Sequence, residues 1–107
     1  MMSGSRTITG DKDRLDNVHP GDVLREDYLI GSEIPVAEVA DGAGLDIVQL
    51  NAILAGDRPV DANVDIRLAR YFGITEGFFL GLQIDYDLED VRRANGPELD
   101  KISKRAA

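Results

Sequence analysis

Residues 36–53 read VAEVADGAGLDIVQLNAI, and this stretch decides the fold. Counted from Val36, the residues Ala40, Gly44, Leu50 and Ile53 fall at offsets of 4, 8, 14 and 17. Each offset meets a geometric need of two helices joined by a tight turn. A small residue at 40 lets a second helix cross closely over the first. A glycine at 44 takes the left-handed backbone conformation that residues with a Cβ avoid. Two apolar residues three apart, Leu50 and Ile53, hold the second helix to the core. The spacing predicts a helix-turn-helix, a unit whose second helix is shaped to enter a DNA major groove.

The flanking sequence supplies three more helices. Helix 2 starts near Pro35, and Val36, Val39, Ala40 and Ala43 follow the i, i+3, i+4, i+7 pattern of one buried face. Helix 3 opens at Asp46, with Gln49 three residues on as a variant capping box. Leu50, Ile53 and Leu54 are its buried side, and Gly56 ends it. Upstream, Pro20 suits a first helical turn. Val23, Leu24, Tyr28 and Leu29 give helix 1 an apolar face over 20–30, closed by Gly31-Ser32. Downstream, Asp61 is an N-cap for helix 4, whose Ile66, Leu68, Ala69 and Phe72 are expected to face inward before Gly73. Thr75 is expected to cap helix 5, which runs through Phe78, Phe79, Leu82 and Tyr86 towards Arg93 and breaks at Asn95-Gly96-Pro97. No segment alternates like a strand and no repeat is present. The expectation is an all-α domain of five helices over 18–94. A polar, aperiodic stretch over 1–17 reads as a flexible arm, and 95–107 as a frayed tail.

Composition narrows the function. A chain of 107 residues with 43% hydrophobic content builds one small core. Without cysteine there is neither a disulfide framework nor a thiolate metal site, and a second histidine for zinc is lacking. No apolar run approaches a membrane span, and the first residues do not form a secretory signal, so a cytoplasmic location is expected. The net charge of −8 repels nucleic acid as a whole and attracts a basic protein. There is no nucleophile–base–acid set, no phosphate loop and no dinucleotide motif, so the chain reads as a non-enzyme without cofactor or metal.

Three blocks in order resemble a known family. His19-Pro20-Gly21-Asp22-Val23-Leu24-Arg25-Glu26 resembles the opening "HPGEILREE" of HigA-type antitoxins, a branch of the XRE (Cro/C1-like) helix-turn-helix proteins. Ile66-Arg67-Leu68-Ala69-Arg70-Tyr71-Phe72-Gly73 resembles their "LRLARxFG". Phe78-Phe79-Leu80-Gly81-Leu82-Gln83 with Tyr86-Asp87-Leu88 resembles "FWLNLQxxYDL". The resemblance covers about 19–92. It implies an XRE/lambda-repressor-like domain, a homodimer joined through the last helix, and a small, basic, RelE-like toxin partner that cleaves mRNA. It also implies repression of the protein's own operon. Four departures stand out. Pro35 and Val36 replace the usual Ser-Gln. The start of helix 3 lacks the usual Arg or polar residues. Asp65 sits where a small apolar residue is usual, and Phe79 replaces Trp.

The candidate DNA-reading row is Asp46, Ile47, Val48, Gln49, Asn51 and Ala52, with Arg58 in the following loop. Gln and Asn can bond bidentately to adenine, and the apolar members can touch a thymine methyl. Against this, 34–60 holds Arg58 alone as a cation beside Glu38, Asp41, Asp46 and Asp57, a net of −3. Phosphates would then have to be held by backbone N–H groups at the starts of helices 2 and 4, or by Arg6, Lys12 and Arg14 of the arm. The alternative is a scaffold of the same fold that serves protein interaction with weak or lost DNA binding; a solitary repressor without toxin is the third reading. Helix 5 carries more large apolar residues than one face needs, Leu80, Ile84, Leu88 and Val91 included, so a two-fold dimer through it is expected, with Phe78, Phe79, Leu82 and Tyr86 as the candidate surface. The acidic run Asp85, Asp87, Glu89 and Asp90 lacks the spacing of a calcium loop; it reads first as a solvated helix face, and it is also the candidate toxin-facing surface. His19 is expected to flank the start of helix 1.

Overall fold

The computed structural model describes residues 16–106, and among them five helices account for all regular structure. The first begins as α1 (Pro20–Val23) and runs on without a break as a π-helical stretch, Leu24–Ile30. The others are α2 (Val36–Ala43), α3 (Ile47–Leu54), α4 (Ala62–Phe72) and α5 (Phe78–Leu99). α1 packs on α3 and α5, and α4 packs on α2 and α5. The core is Leu24, Leu29, Val39, Ala40, Leu50, Ile53, Leu54, Val60, Val64, Leu68 and Phe79.

The expected termini are realised by the expected chemistry. His19, expected only to flank α1, caps it: its Nδ1 accepts from Gly21 N at 2.9 Å. Gly44 closes α2 at φ 69°, and Gly73 closes α4 at φ 71°. Asp61 caps α4 through Val64 N at 2.9 Å. Close approach also fixes one position by size: a Cβ on Gly21 would collide with the carbonyl oxygen of Ile53. That glycine lets α1 lie directly on α3.

Four expectations change. The π-helical stretch bonds Gly31 N to Glu26 O, five residues back. This adds a residue to the turn, so Leu24 and Leu29 share the buried face while Val23 and Tyr28 are only half-buried. Ile66 does not face inward but is exposed; Val64 and Asp65 take the buried register with Leu68 and Ala69. Thr75 does not cap α5, whose N-cap is Gly77 at φ 99°. The capping acceptor comes instead from α4, where Asp65, 2% exposed, accepts from Gly77 N and from Leu80 N at 2.9 Å. A buried carboxylate is tolerated there because two backbone N–H groups satisfy it and the helix N-terminus favours its charge. The tail is not frayed throughout: Asn95 kinks α5 at φ −124°, and a helical turn follows to Leu99. The expected flexible arm lies outside the described residues except for Asp16 and Asn17, and Asn17 Nδ2 is tied to Tyr86 O at 2.9 Å.

Candidate nucleic-acid interface

The reading surface is built from the first turn of α3. Asp46 turns its carboxylate back on the helix, accepting from Val48 N at 2.9 Å. Ile47 and Val48 project outward, 42% and 73% exposed. Gln49 and Ala52 are half-buried. Asn51 is exposed but sits about 200° around the axis from Gln49, since successive residues advance about 100°. It lines a groove with Arg25, Leu29, Ile34 and Leu54 on the side of α1. The two amides therefore do not converge, and the tip of α3 is an aliphatic pair. Arg58 is exposed in the loop before α4, beside His19, Gln83, Tyr86 and Asp87.

Only one of the two expected backbone phosphate cradles is open. α2 starts at Pro35 with no side-chain cap: Glu38 N and Val39 N bond back to Pro35 O at 3.1 and 3.3 Å, and the N–H groups of Val36 and Ala37 have no capping side chain. At α4 the Asp61 carboxylate already occupies that place. Arm residues Arg6, Lys12 and Arg14 lie outside the described residues. At the far end of α2, Arg67 Nη1 reaches the carbonyls of Ala43 at 3.3 Å and Gly44 at 3.4 Å. It complements the negative end of the helix and braces the turn that sets the α2–α3 angle. Nothing local in the sequence marked it, because the contact joins residues 24 apart.

Behind the reading loop, Gln83 is 4% exposed. Its Oε1 accepts from Val60 N at 2.8 Å, and its Nε2 donates to Asp87 at 2.9 Å. One side chain thus pins the loop after α3 to α5. The His19 ring meets Tyr86 edge-on at 5.0 Å beside this contact. Burial pushes the imidazole below its ordinary 6.5, opposed by the charges of Asp22 and Asp87.

On α5 the candidate surfaces separate. Phe79 is fully buried in the protomer core, which removes it from any dimer surface. Leu82 is half-buried against the core, Tyr86 is half-buried against His19, and Phe78 is exposed at the helix start. The apolar excess lies elsewhere: Ile84, Leu88 and Val91, about half exposed, recur at i, i+4, i+7 as one stripe. The four carboxylates do not form one face. Asp85 and Glu89 share one side, and Asp87 and Asp90 lie on another. Glu89 is also engaged by Arg93 at 2.7 Å and Arg92 at 3.6 Å, which holds its carboxyl below the usual range, the Arg93 hydrogen bond most of all. Among the described residues no metal-holding cluster occurs, and no helix is long and apolar enough to cross a membrane.

An exposed second helix on this all-α frame defines a helix-turn-helix protein. No family model matches the sequence. Virulence-associated protein I of Dichelobacter nodosus is 31% identical over 83 residues, 78% of this chain and 77% of that protein. The Pseudomonas aeruginosa antitoxin HigA, solved with the higBA promoter, is 30% identical with a TM-score of 0.79, covering 85% of this chain and 100% of that one. Antitoxin GraA in complex with its operator is 28% identical with a TM-score of 0.79, covering 90% and 98%. The chain belongs to the HigA-type antitoxins of the XRE helix-turn-helix family. The solved relatives are antitoxins, and no enzymatic family is indicated.

Proposed function

We propose that this protein is the antitoxin of a toxin–antitoxin module. It represses its own operon through α2 and α3, and it neutralises a basic, RelE-like toxin that cleaves mRNA. The observation that carries the reading is the match, over 85% of this chain and all of the other, to an antitoxin solved on promoter DNA. The local geometry agrees with it: an uncapped α2 N-terminus for a phosphate, and an α3 whose first turn stands clear of the core. The working form is a homodimer, with the stripe Ile84, Leu88 and Val91 as its seam in place of Phe79, Leu82 and Tyr86. Paired copies present two α3 helices to two half-sites. The toxin meets the acidic body of the protein, Asp85, Asp87, Glu89 and Asp90 included. The protein acts in the cytoplasm, where operon and toxin are found.

The second reading, an interaction module on the same scaffold with DNA binding lost, is favoured by one observation. Between 34 and 60 Arg58 is the single cation. A titration on the protein's own upstream DNA separates the two. The toxin half is tested by expressing the adjacent basic gene product alone and with this chain. Growth arrest relieved by co-expression supports the antitoxin; arrest unrelieved despite both being present refutes it.

A further inference from the structure

We infer that α3 reads thymine by its C5 methyl group, through Val48 with Ile47 beside it. The inference rests on the operator-binding reading above and names what that site recognises. In the major groove each base pair shows donors and acceptors, but the one apolar group on offer is the thymine methyl. The groups that read guanine are Arg and Lys, and neither occurs on α3; Arg58 stands in the loop beyond it. The groups that read adenine are amides. Gln49 is half-buried, and Asn51 turns to the α1 side of the helix. Asp46, the polar group nearest the tip, has one carboxylate oxygen committed to Val48 N. What remains foremost is Val48, 73% exposed, followed by Ile47 at 42%. Both lie in the first turn, the part of a recognition helix that meets base edges. Aliphatic side chains make no hydrogen bond, so a methyl is the base feature they can distinguish. The same residues give the acidic reading head a source of affinity that does not depend on phosphate charge.

The test replaces every thymine of the upstream operator duplex with deoxyuridine, which removes the methyl and keeps the O4 acceptor and the base pairing. Anisotropy titrations compare both duplexes for the wild-type protein and for Val48→Ala and Ile47→Ala. Val48 is exposed, so Val48→Ala leaves the fold intact, which a thermal melt verifies. The expected result is a loss of about four-fold for each contacted methyl, the equivalent of burying one methyl-sized group. The thymine-to-uracil ratio then collapses towards one in Val48→Ala. Tight wild-type binding to both duplexes alike overturns the methyl reader while leaving operator binding standing. A ratio that persists unchanged in both variants assigns the effect to DNA shape and overturns it equally. Failure to bind the thymine duplex at all overturns the operator reading, and this inference with it.

Discussion

Asp65 and His19 show how single residues are fixed by backbone groups a sequence does not display. Asp65→Ala removes the acceptor of Gly77 N and Leu80 N at the start of α5. It is expected to cost about 1–3 kcal/mol, the penalty for buried polar groups left unpaired. Asp65→Asn keeps one acceptor and should lose less. Urea unfolding of both variants measures the difference, and equal stability of Asp65→Ala and wild type would refute the capping role. His19 predicts a pH effect. Its Nδ1 must be unprotonated to accept from Gly21 N, and burial lowers its pKa below 6.5. In the window between the depressed folded value and 6.5 the unfolded chain binds more protons, so stability rises with pH there. The contribution is complete above 6.5 and is lost as pH falls through the folded value. His19→Asn, which retains a capping oxygen, should flatten this segment of a Tm–pH curve. A curve unchanged by the substitution would remove His19 as its source.

At the scale of elements, the helix ends were legible because glycine, proline and aspartate announce them chemically. Pro20, Gly44, Asp46, Asp61 and Gly73 all act at the ends expected of them. What periodicity misassigned were faces. On α4 the apolar reading chose Ile66, yet the inward register passes through charged Asp65, whose partners are supplied by another helix. On α3 the two amides looked like a reading pair, but a separation of two residues puts them on nearly opposite sides of the helix. On α5 the surplus of large apolar residues was visible, but which of them the protomer buries depends on packing against α1 and α4. Phe79 went to the core and the Ile84, Leu88 and Val91 stripe to the surface. The stripe predicts that Leu88→Glu turns a dimer into a folded monomer, because a charge at the centre of a two-fold seam meets its own copy. Sedimentation at micromolar concentration, with circular dichroism to confirm folding, decides this; a dimer surviving the substitution would move the seam elsewhere.

The whole molecule carries its charge in the folded body: residues 19–94 hold fifteen acidic and six basic side chains, a net of −9. Such a body attracts a basic partner, which under the proposed function is the toxin, and repels DNA phosphates. Toxin association is therefore expected to slow as salt rises. Reversing Asp85, Asp87, Glu89 and Asp90 together should lower the association rate more than it raises the dissociation rate. Because these carboxylates lie on different sides of α5, the effect expected is one of long-range steering; an association rate indifferent to salt and to the reversal would leave the charge a solubility feature. The same charge makes DNA recognition the severest demand on the account. Operator affinity must come from the exposed tip of α3, the open N-terminus of α2 and a few cations, rather than from a basic surface. The most direct measurement is an equilibrium titration of the protein on its own upstream duplex and on a scrambled duplex of equal length, at about 0.15 M salt. The upstream duplex is predicted to bind tighter by about a thousand-fold or more, the usual margin of specific over non-specific binding. Equal affinity for the two duplexes, or binding to neither, would contradict it.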